Sequence, residues 1–511
     1  MKKLYKFLAV SMAAAVLLLC TACQKGQTPQ ESSRETTAEE SSFQEEESSK
    51  PDKVSQSSQK KESSKVSQVS KKQQSEEPAE YDYYVDGTYN VMSEFSGLLS
   101  QNPDTVGWVN IPNSVVDYPV LQCPNDAYLL TQQEDPYYLC RDFYHNNILR
   151  GSIFLDYRSP LDSKNLILHG HHMADGSMFA TIIGYNSFDF YKASPVVTFN
   201  SLYETGKWKI IAVCKTNTLE SQGPYFDYMR GDFASDYDFL NYIYQIRLRS
   251  IYDCPVTVNE HDTIITMSTC AYDFDEFRMF IVARKVRDGE DSTVNVGRAK
   301  KNPSPLYPDI WYYYYGGTKP EVTSFQDALN KKKITWYDGT KTWSPKDDEA
   351  LPKTLQQAKQ NAINQLKTAY EPVYYGPDQL NYIQAYVNAY EGFINDCTNT
   401  GRINALTYQC MAVIHSVEKK QVPDANVSSQ KKALQKAKTD AIAAMKKVTA
   451  NQTYRTNQQQ RIDRLMQMFG AKIYAAEDRG TVSMWQQYAV RRLDDVPTDA
   501  EMTAQEKKKK T

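Results

Sequence analysis

The stretch "TMSTCAYDFDEFR", Thr266–Arg278, closes one apolar run at Cys270 and opens another at Arg278. The run before it, "PVTVNEHDTIITMSTC" (255–270), is rich in Thr, Val and Ile; the run after it, "FRMFIVARKV" (277–286), is aromatic and β-branched. Both patterns predict strands, with a loop between them. Such a strand-loop-strand unit brings its ends together. A free thiol has a pKa of about 8.5, so a nucleophilic cysteine needs a nearby cation or base. Arg278 is one candidate. Taken alone, Cys270 reads as a buried structural thiol.

Outward from this unit the same signal recurs. "GSIFLDY" (151–157), "NLILHG" (165–170), "PVVTFN" (195–200) and "KWKIIAVCK" (207–215) are short apolar runs bounded by turn residues. Further upstream, "YDYYVDGTYNVMSEFSGLLSQNPDTVGWVNIPNSVVDYPVLQ" (81–122) passes from a short helical pattern into runs broken by Pro, Asn and Gly. Their number and spacing predict an all-β barrel with inserted helices. One insert is "DFASDYDFLNYIYQIRLRS" (232–250), where Phe239, Tyr242, Ile243 and Ile246 recur at helical spacing and Ser235 or Asp236 caps the start.

The chain has 511 residues, enough for several domains, and a net charge of −3, which gives no electrostatic footprint for nucleic acid. It begins "MKKLYKFLAVSMAAAVLLLCTAC", with Lys2, Lys3 and Lys6 ahead of an apolar run, the pattern of an export signal or short membrane anchor. Residues 24–80 are Ser, Glu, Lys and Gln with almost no aromatics, a composition that cannot offset the entropy of folding. They read as a disordered stalk, spanning on the order of 40 Å.

Residues 81–288 form the predicted barrel domain, and 289–350 a Tyr-rich connector. Within the connector, "ITWYDGTKTW" (334–343) predicts a hairpin around Asp338 and Gly339, with its Trp and Tyr either stacking on sugars or strapping domains together. Then a repeat begins. "LQQAKQNAINQLK" from Leu355 and "LQKAKTDAIAAMKK" from Leu434 align at an offset of 79 residues, and the same offset pairs Ile383 with Ile462, Ile394 with Ile473, Gly401 with Gly480 and Val417 with Val496. This predicts two three-helix bundles, 351–421 and 430–498, each near the small end of what folds alone, and a basic tail at 499–511. Their apolar stripes read as core, and the bundles as spacers rather than catalysts.

Of nine cysteines, Cys20 and Cys23 lie in the leader. The remaining number is odd, so at least one thiol stays free unless it pairs between molecules. Cys397 and Cys410 are placed to meet across a helical hairpin; Cys123, Cys140, Cys214 and Cys254 read as core thiols.

A second chemical cluster is "NLILHGHHMADGSMF" (165–179), which puts His169, Gly170, His171 and His172 at the end of a strand. A metal reading needs further ligands, and the other histidines, His145, His261 and His415, supply no second motif. No metal and no cofactor is therefore expected. Together, "NLILHGHHMADGSMF", "TMSTC" and the Arg eight residues after Cys270 resemble the His, Cys and Arg motifs of sortases, specifically class B. The resemblance extends through "NPDTVGWVNIPNSVVDYPVLQ" and "GSIFLDY" and covers about residues 90–288. It implies a closed sortase-type barrel and a cysteine transpeptidase in which Cys270 is the nucleophile, His171 the acid and base, and Arg278 the stabilising cation. Met267 replaces the Leu usual in that motif. Asn125 and Leu129 in "PNDAYLL" (124–130) are implied substrate contacts, and Thr269 is implied to orient substrate or Arg278.

The implied partners are surface proteins carrying a Thr-containing sorting signal, and an amine acceptor on a cell-wall precursor or a pilin. The leader in turn resembles a bacterial lipoprotein signal: Thr21 and Ala22 precede Cys23, the implied lipid-bearing residue, although Cys20 stands where that pattern usually has Leu. A lipid there or an uncleaved signal anchor would tether the chain to the outer face of the cell membrane. A competing reading is a non-catalytic surface lipoprotein with a degenerate sortase domain and partner-binding repeats; the presence of His171, Cys270 and Arg278 weighs against it.

Overall fold

The computed structural model describes residues 83–85 and 90–510. The leader with Cys20 and Cys23, and the stalk, lie outside the described residues. No helix among the described residues is long and apolar enough to cross a membrane.

Eight strands close into a barrel: β1 (Thr105–Asn110), β2 (Asp117–Leu121), β3 (Ile153–Leu155), β4 (Asn165–His169), β5 (Val196–Ser201), β6 (Lys207–Thr216), β7 (Ile264–Ala271) and β8 (Phe277–Lys285). Their order around the barrel is β7-β8-β6-β5-β1-β2-β3-β4, and the parallel β4–β7 pairing closes it. All the barrel strands expected from sequence are present. Closure removes the unpaired edges that an open sheet of these apolar strands would present to other chains.

Strand periodicity sorts the side chains into two cores. On β7, Ile265, Met267 and Ala271 point into the main core; on β8 so do Phe277, Met279, Ile281 and Ala283. The alternate residues Ile264, Phe280 and Val282 face outward into a second core. That core is roofed by α2 (Asp236–Arg249), the insert foreseen in the sequence, where Ser235 caps the start by accepting from the Asp238 N–H at 3.2 Å. A shorter helix, α1 (Asp126–Thr131), lies between β2 and β3. Another, α3 (Asp309–Tyr315), follows the barrel.

The connector forms no hairpin at 334–343. Instead Tyr337 makes a parallel bridge to Val258, and Trp336 and Trp343 pack around Phe325 in the second core. The reason is ionic as well as apolar. Arg287 donates to both carboxylate oxygens of Asp338 at 2.7 and 2.9 Å and of Asp262 at 2.7 Å, which pins Asp338 to the barrel instead of to a turn partner. The segment is a packing strap.

Six long helices follow: α4 (Pro345–Thr368), α5 (Pro377–Asn395), α6 (Thr400–Ser416), α7 (Asp424–Thr449), α8 (Thr456–Ala475) and α9 (Arg479–Asp494). Helix α4 starts before the expected boundary because Ser344 and Asp347 form a capping box there. The 79-residue repeat is visible in the caps. Asn399 accepts from the Arg402 N–H at 2.9 Å, and its counterpart Asp478 accepts from the Thr481 N–H at 2.7 Å. Residues 499–510 form a helix, α10 (Asp499–Lys510), where sequence suggested only a tail. Its start is tied down by the capping bonds between Thr498 and Glu501.

These helices are docked onto the barrel domain. Lys164, buried, meets Asp495 at 2.6 Å and donates to the Glu260 carbonyl. Arg464 reaches Glu204 at 2.7 Å, and Arg491 reaches Asp232 at 2.6 Å. None of the seven cysteines among the described residues forms a disulfide. Cys397 and Cys410 are not bonded to each other: the Cys397 thiol, just past α5, is turned back onto the Phe393 carbonyl of that helix, 3.3 Å away, while Cys410 sits in the apolar core.

Candidate active site

The outward faces of β7 and β8 form a ladder of cross-strand pairs: Ile264 with Arg284, Thr266 with Val282, Ser268 with Phe280, Cys270 with Arg278. Directly opposed residues on one face have Cβ atoms about 5 Å apart. Tyr228 covers the third pair, its hydroxyl 2.8 Å from Ser268 Oγ and its ring stacked on Phe280 at 4.3 Å. Cys270 and Arg278 are thus the last pair on this face before the loop. They are 9% and 7% exposed.

Arg278 is the second residue of β8 rather than its first. Its Nη1 donates to the Phe277 carbonyl at 3.0 Å and its Nη2 to Glu276 at 2.9 Å. Glu276 is held at a positive φ of 55°, a conformation costly for a side chain of this kind, and its carbonyl accepts from Thr218 at 2.8 Å. Around it the loop is tied at each step. Asp273 pairs with Lys215 at 2.6 Å, the Asp275 carbonyl accepts from Gln222 at 2.7 Å, and Phe274 packs against Trp311, Tyr314 and Tyr315 of α3. Asp273 and Glu276, two of the loop's three acids, are thus ion-paired within the site.

The three histidines have three different partners. His169, at the end of β4, donates to Asp156 at 2.8 Å, alongside the two bonds Asp156 accepts from the Arg158 guanidinium. His172 donates from Nδ1 to the Cys270 carbonyl at 3.1 Å and stacks on Tyr272. His171 donates from Nε2 to the Leu139 carbonyl at 2.9 Å. A carbonyl can only accept, so Nε2 carries the proton and the neutral ring presents its lone pair at Nδ1. Burial depresses the His171 pKa below the usual imidazole value; the Leu139 carbonyl and Asp135 act against this, and the Arg278 charge adds to it. His171 and Arg278 therefore share one electrostatic neighbourhood. Burial also lowers the His172 pKa, against the bond to Cys270.

Thr269 faces the interior and donates to the Gly170 carbonyl at 2.8 Å. It fastens the Cys270 strand to the turn that carries His171. Gly170 is needed there, since an added Cβ would collide with Ile153 and Phe179. Asn125 sits at the N-terminus of α1, exposed and making no side-chain bond to its own helix, and Leu129 is half-buried on the same helix. Helix α1 packs against α6.

Three contributors escaped the sequence reading. The Leu139 acceptor is backbone and carries no side-chain signal. Glu276 was legible only as a loop acid. Asp126, next to Asn125, was passed over although an acid in a helix's first turn is a visible feature. In chemical terms the site offers a thiol opposite a fixed cation, with an imidazole of defined tautomer nearby.

No family model matches the chain. It is 34% identical over 200 residues to sortase B of Listeria monocytogenes, spanning 38% of this chain and 75% of that protein. It is 30% identical over 202 residues to sortase B of Staphylococcus aureus, spanning 39% and 77%. Among solved structures, a Staphylococcus aureus sortase B–substrate complex is 30% identical, with a TM-score of 0.34, over 39% of this chain and 86% of that one. A sortase B of Bacillus anthracis in complex with AAEK1 is 29% identical, with a TM-score of 0.33, over 39% and 86%. With a relative above 30% identity matched over three quarters of its length, the chain belongs to the sortase B family.

Proposed function

We propose that the protein is an extracellular cysteine transpeptidase, with Cys270 as nucleophile, Arg278 as stabilising cation and His171 as acid and base. The carrying observation is the cross-strand pairing of Cys270 with Arg278 on the outer face of the barrel, immediately before the loop. The Cys270 thiolate attacks the carbonyl that follows the Thr of a sorting signal, and the carbonyl π electrons move to oxygen. The peptide C–N bond then breaks, His171 delivers a proton to the leaving amine, and a thioester remains. An incoming amine, deprotonated by His171, attacks the thioester and releases the thiolate. Arg278 stabilises the thiolate by charge and the oxyanion by hydrogen bonds, and its own charge does not titrate in this range.

Asn125 and Leu129 on α1 are proposed substrate contacts. The acceptor is an amine of a cell-wall precursor or a pilin. A tether at the N-terminus, through a lipid on Cys23 or the apolar leader itself, is supported by Lys2, Lys3 and Lys6 preceding the apolar run.

The test is incubation of the protein with a peptide library and an amine nucleophile, with products read by mass spectrometry. Transfer through a Cys270-linked thioester is the expected result. Cys270→Ala and Arg278→Ala should each abolish transfer while thermal melting stays cooperative. Near-wild-type turnover by Cys270→Ala would sink the assignment, and no thioester with any Thr-containing peptide would favour a non-catalytic surface protein.

A further inference from the structure

We propose that Asp126 is a positioning residue for His171: its carboxylate holds the Tyr137–Leu139 turn, and that turn's last carbonyl holds the imidazole. The inference rests on the acid and base role given to His171 above. The geometry is a short relay. Asp126 Oδ1 accepts from the Tyr137 N–H at 2.8 Å; two residues on, the Leu139 carbonyl accepts from His171 Nε2 at 2.9 Å.

An acid in the first turn of a helix is favourable for that helix alone. Asp126, however, is only 2% exposed and spends an oxygen on a backbone amide eleven residues away. A buried polar group aimed at one orphan donor fixes that donor's position.

The rest of the turn is equally constrained. Tyr138 is fully buried; its hydroxyl donates to Asp104 at 2.8 Å and accepts from Asn102 at 3.0 Å, and its carbonyl accepts from the Ser152 N–H at 2.9 Å. Gly151 packs against Leu139 in a left-handed conformation, φ 55°, where an added Cβ would overlap the very oxygen that His171 uses. The acceptor therefore has one position, and Asp126 sets it from the side of α1. The groups facing the Asp126 carboxyl are the Cys123 thiol, which donates to it, and the carboxylates of Asp104 and Asp156. Burial first, opposed by the Tyr137 N–H and Cys123, lifts its pKa to about 7. Ionised or protonated, it keeps an oxygen able to accept from Tyr137. Cys123, whose own pKa burial pushes up to about 12, stays a thiol beside it.

Because α1 also carries Asn125 and Leu129, one carboxyl joins the proposed substrate helix to the proposed acid and base.

The experiment compares wild type, Asp126→Ala and Asp126→Asn, the amide retaining the acceptor oxygen. Two readouts are taken on the full chain: steady-state transfer with a peptide captured by wild type, and the ring 15N shifts of 15N-histidine-labelled protein, which holds only six histidines. Asp126→Ala should lower kcat by about 10- to 100-fold, as expected for a misplaced catalytic group, with KM moving less than about threefold. The neutral His171 ring should pass from the Nε2-protonated form to a mixture of tautomers, while His172 is unchanged. Asp126→Asn should recover most of the kcat and the tautomer.

A folded Asp126→Ala with unaltered His171 shifts and kcat overturns the proposal. So does equal loss in both variants with the ring unmoved. If Asp126→Ala does not fold, Gly151→Ala, which displaces the same carbonyl from its other side, must perturb the His171 ring or the proposal fails. If wild type transfers no peptide, the functional reading fails, and the ring shifts alone still decide the role of Asp126.

Discussion

Cys270 and Thr269 are adjacent, similar in size and both buried, yet the strand turns one toward Arg278 and the other toward Gly170. A slip of one residue in the β7–β8 register would exchange these faces and put the thiol in the interior. At the same scale, His171 is set for use near neutrality. Its folded pKa lies below the usual imidazole value of about 6.5. For a lowered pKa, the stabilisation is present above the unfolded value and is lost as pH falls through the folded one. In activity, protons added below that pKa find the ring already charged, so they only reduce the thiolate fraction. The acid limb of kcat/KM should therefore fall below pH 6.5, and a His171 ring titration by NMR should give the same pKa. Arg278→Ala should raise that pKa, because it removes a repelling charge. A limb at or above the free-imidazole value would contradict the assignment.

Elements explain why the repeat looks the way it does. Gly401 and Gly480 occupy equivalent second positions of α6 and α9, but they approach different things. A Cβ at Gly401 would meet the Arg230 side chain and its Cα; a Cβ at Gly480 would meet the backbone oxygen of Gln365 and the amide of Ala369. The first lets repeat 1 lie on the barrel domain, and the second lets repeat 2 lie on α4 of repeat 1. The nearest atom at Gly480 is a helix backbone oxygen at 2.3 Å, against the Arg230 Cγ at 2.6 Å at Gly401, and a helix backbone cannot yield. Gly480→Ala should therefore cost more stability than Gly401→Ala, with the former in the range of about 1–3 kcal/mol for overpacking. Differential denaturation of the two variants checks the order, and a larger loss at Gly401 would refute it. The same logic makes the connector's strap and α3 part of the barrel domain's packing, since α3 braces the loop beside Cys270.

Across the whole molecule, the helical extension is seated on the barrel domain through buried charge. Lys164 and Asp495 have side chains only 4% and 10% exposed, and Arg492 also lies against Asp495. Removing one partner of such a pair strands the other, which typically costs about 3–5 kcal/mol. Asp495→Ala should lower the melting temperature and open α9 to limited proteolysis. Asp495→Asn, which keeps an oxygen for Lys164, should fall between. An unchanged melt in Asp495→Ala would show that this contact does not hold the two parts together. Because α6 packs against α1, the extension also backs the helix that bears Asn125, Asp126 and Leu129.

Sequence by itself determined the strands, the roofing helix α2 and the repeat, and motif order made His171, Cys270 and Arg278 the candidate trio, because period-2 and helical periodicities and motif order are local properties of the chain. Tertiary structure decided what locality cannot encode. It chose Val258 and Arg287 as partners of the segment read as a hairpin, turned Thr269 inward, paired Asp273 and Glu276 with cations, and made a tail into a helix. It also set the acceptor of His171, a backbone carbonyl placed by Asp126 and Gly151. Each depends on groups far apart in the chain meeting at atomic distance, and a burial pattern says which face is covered without saying by whom.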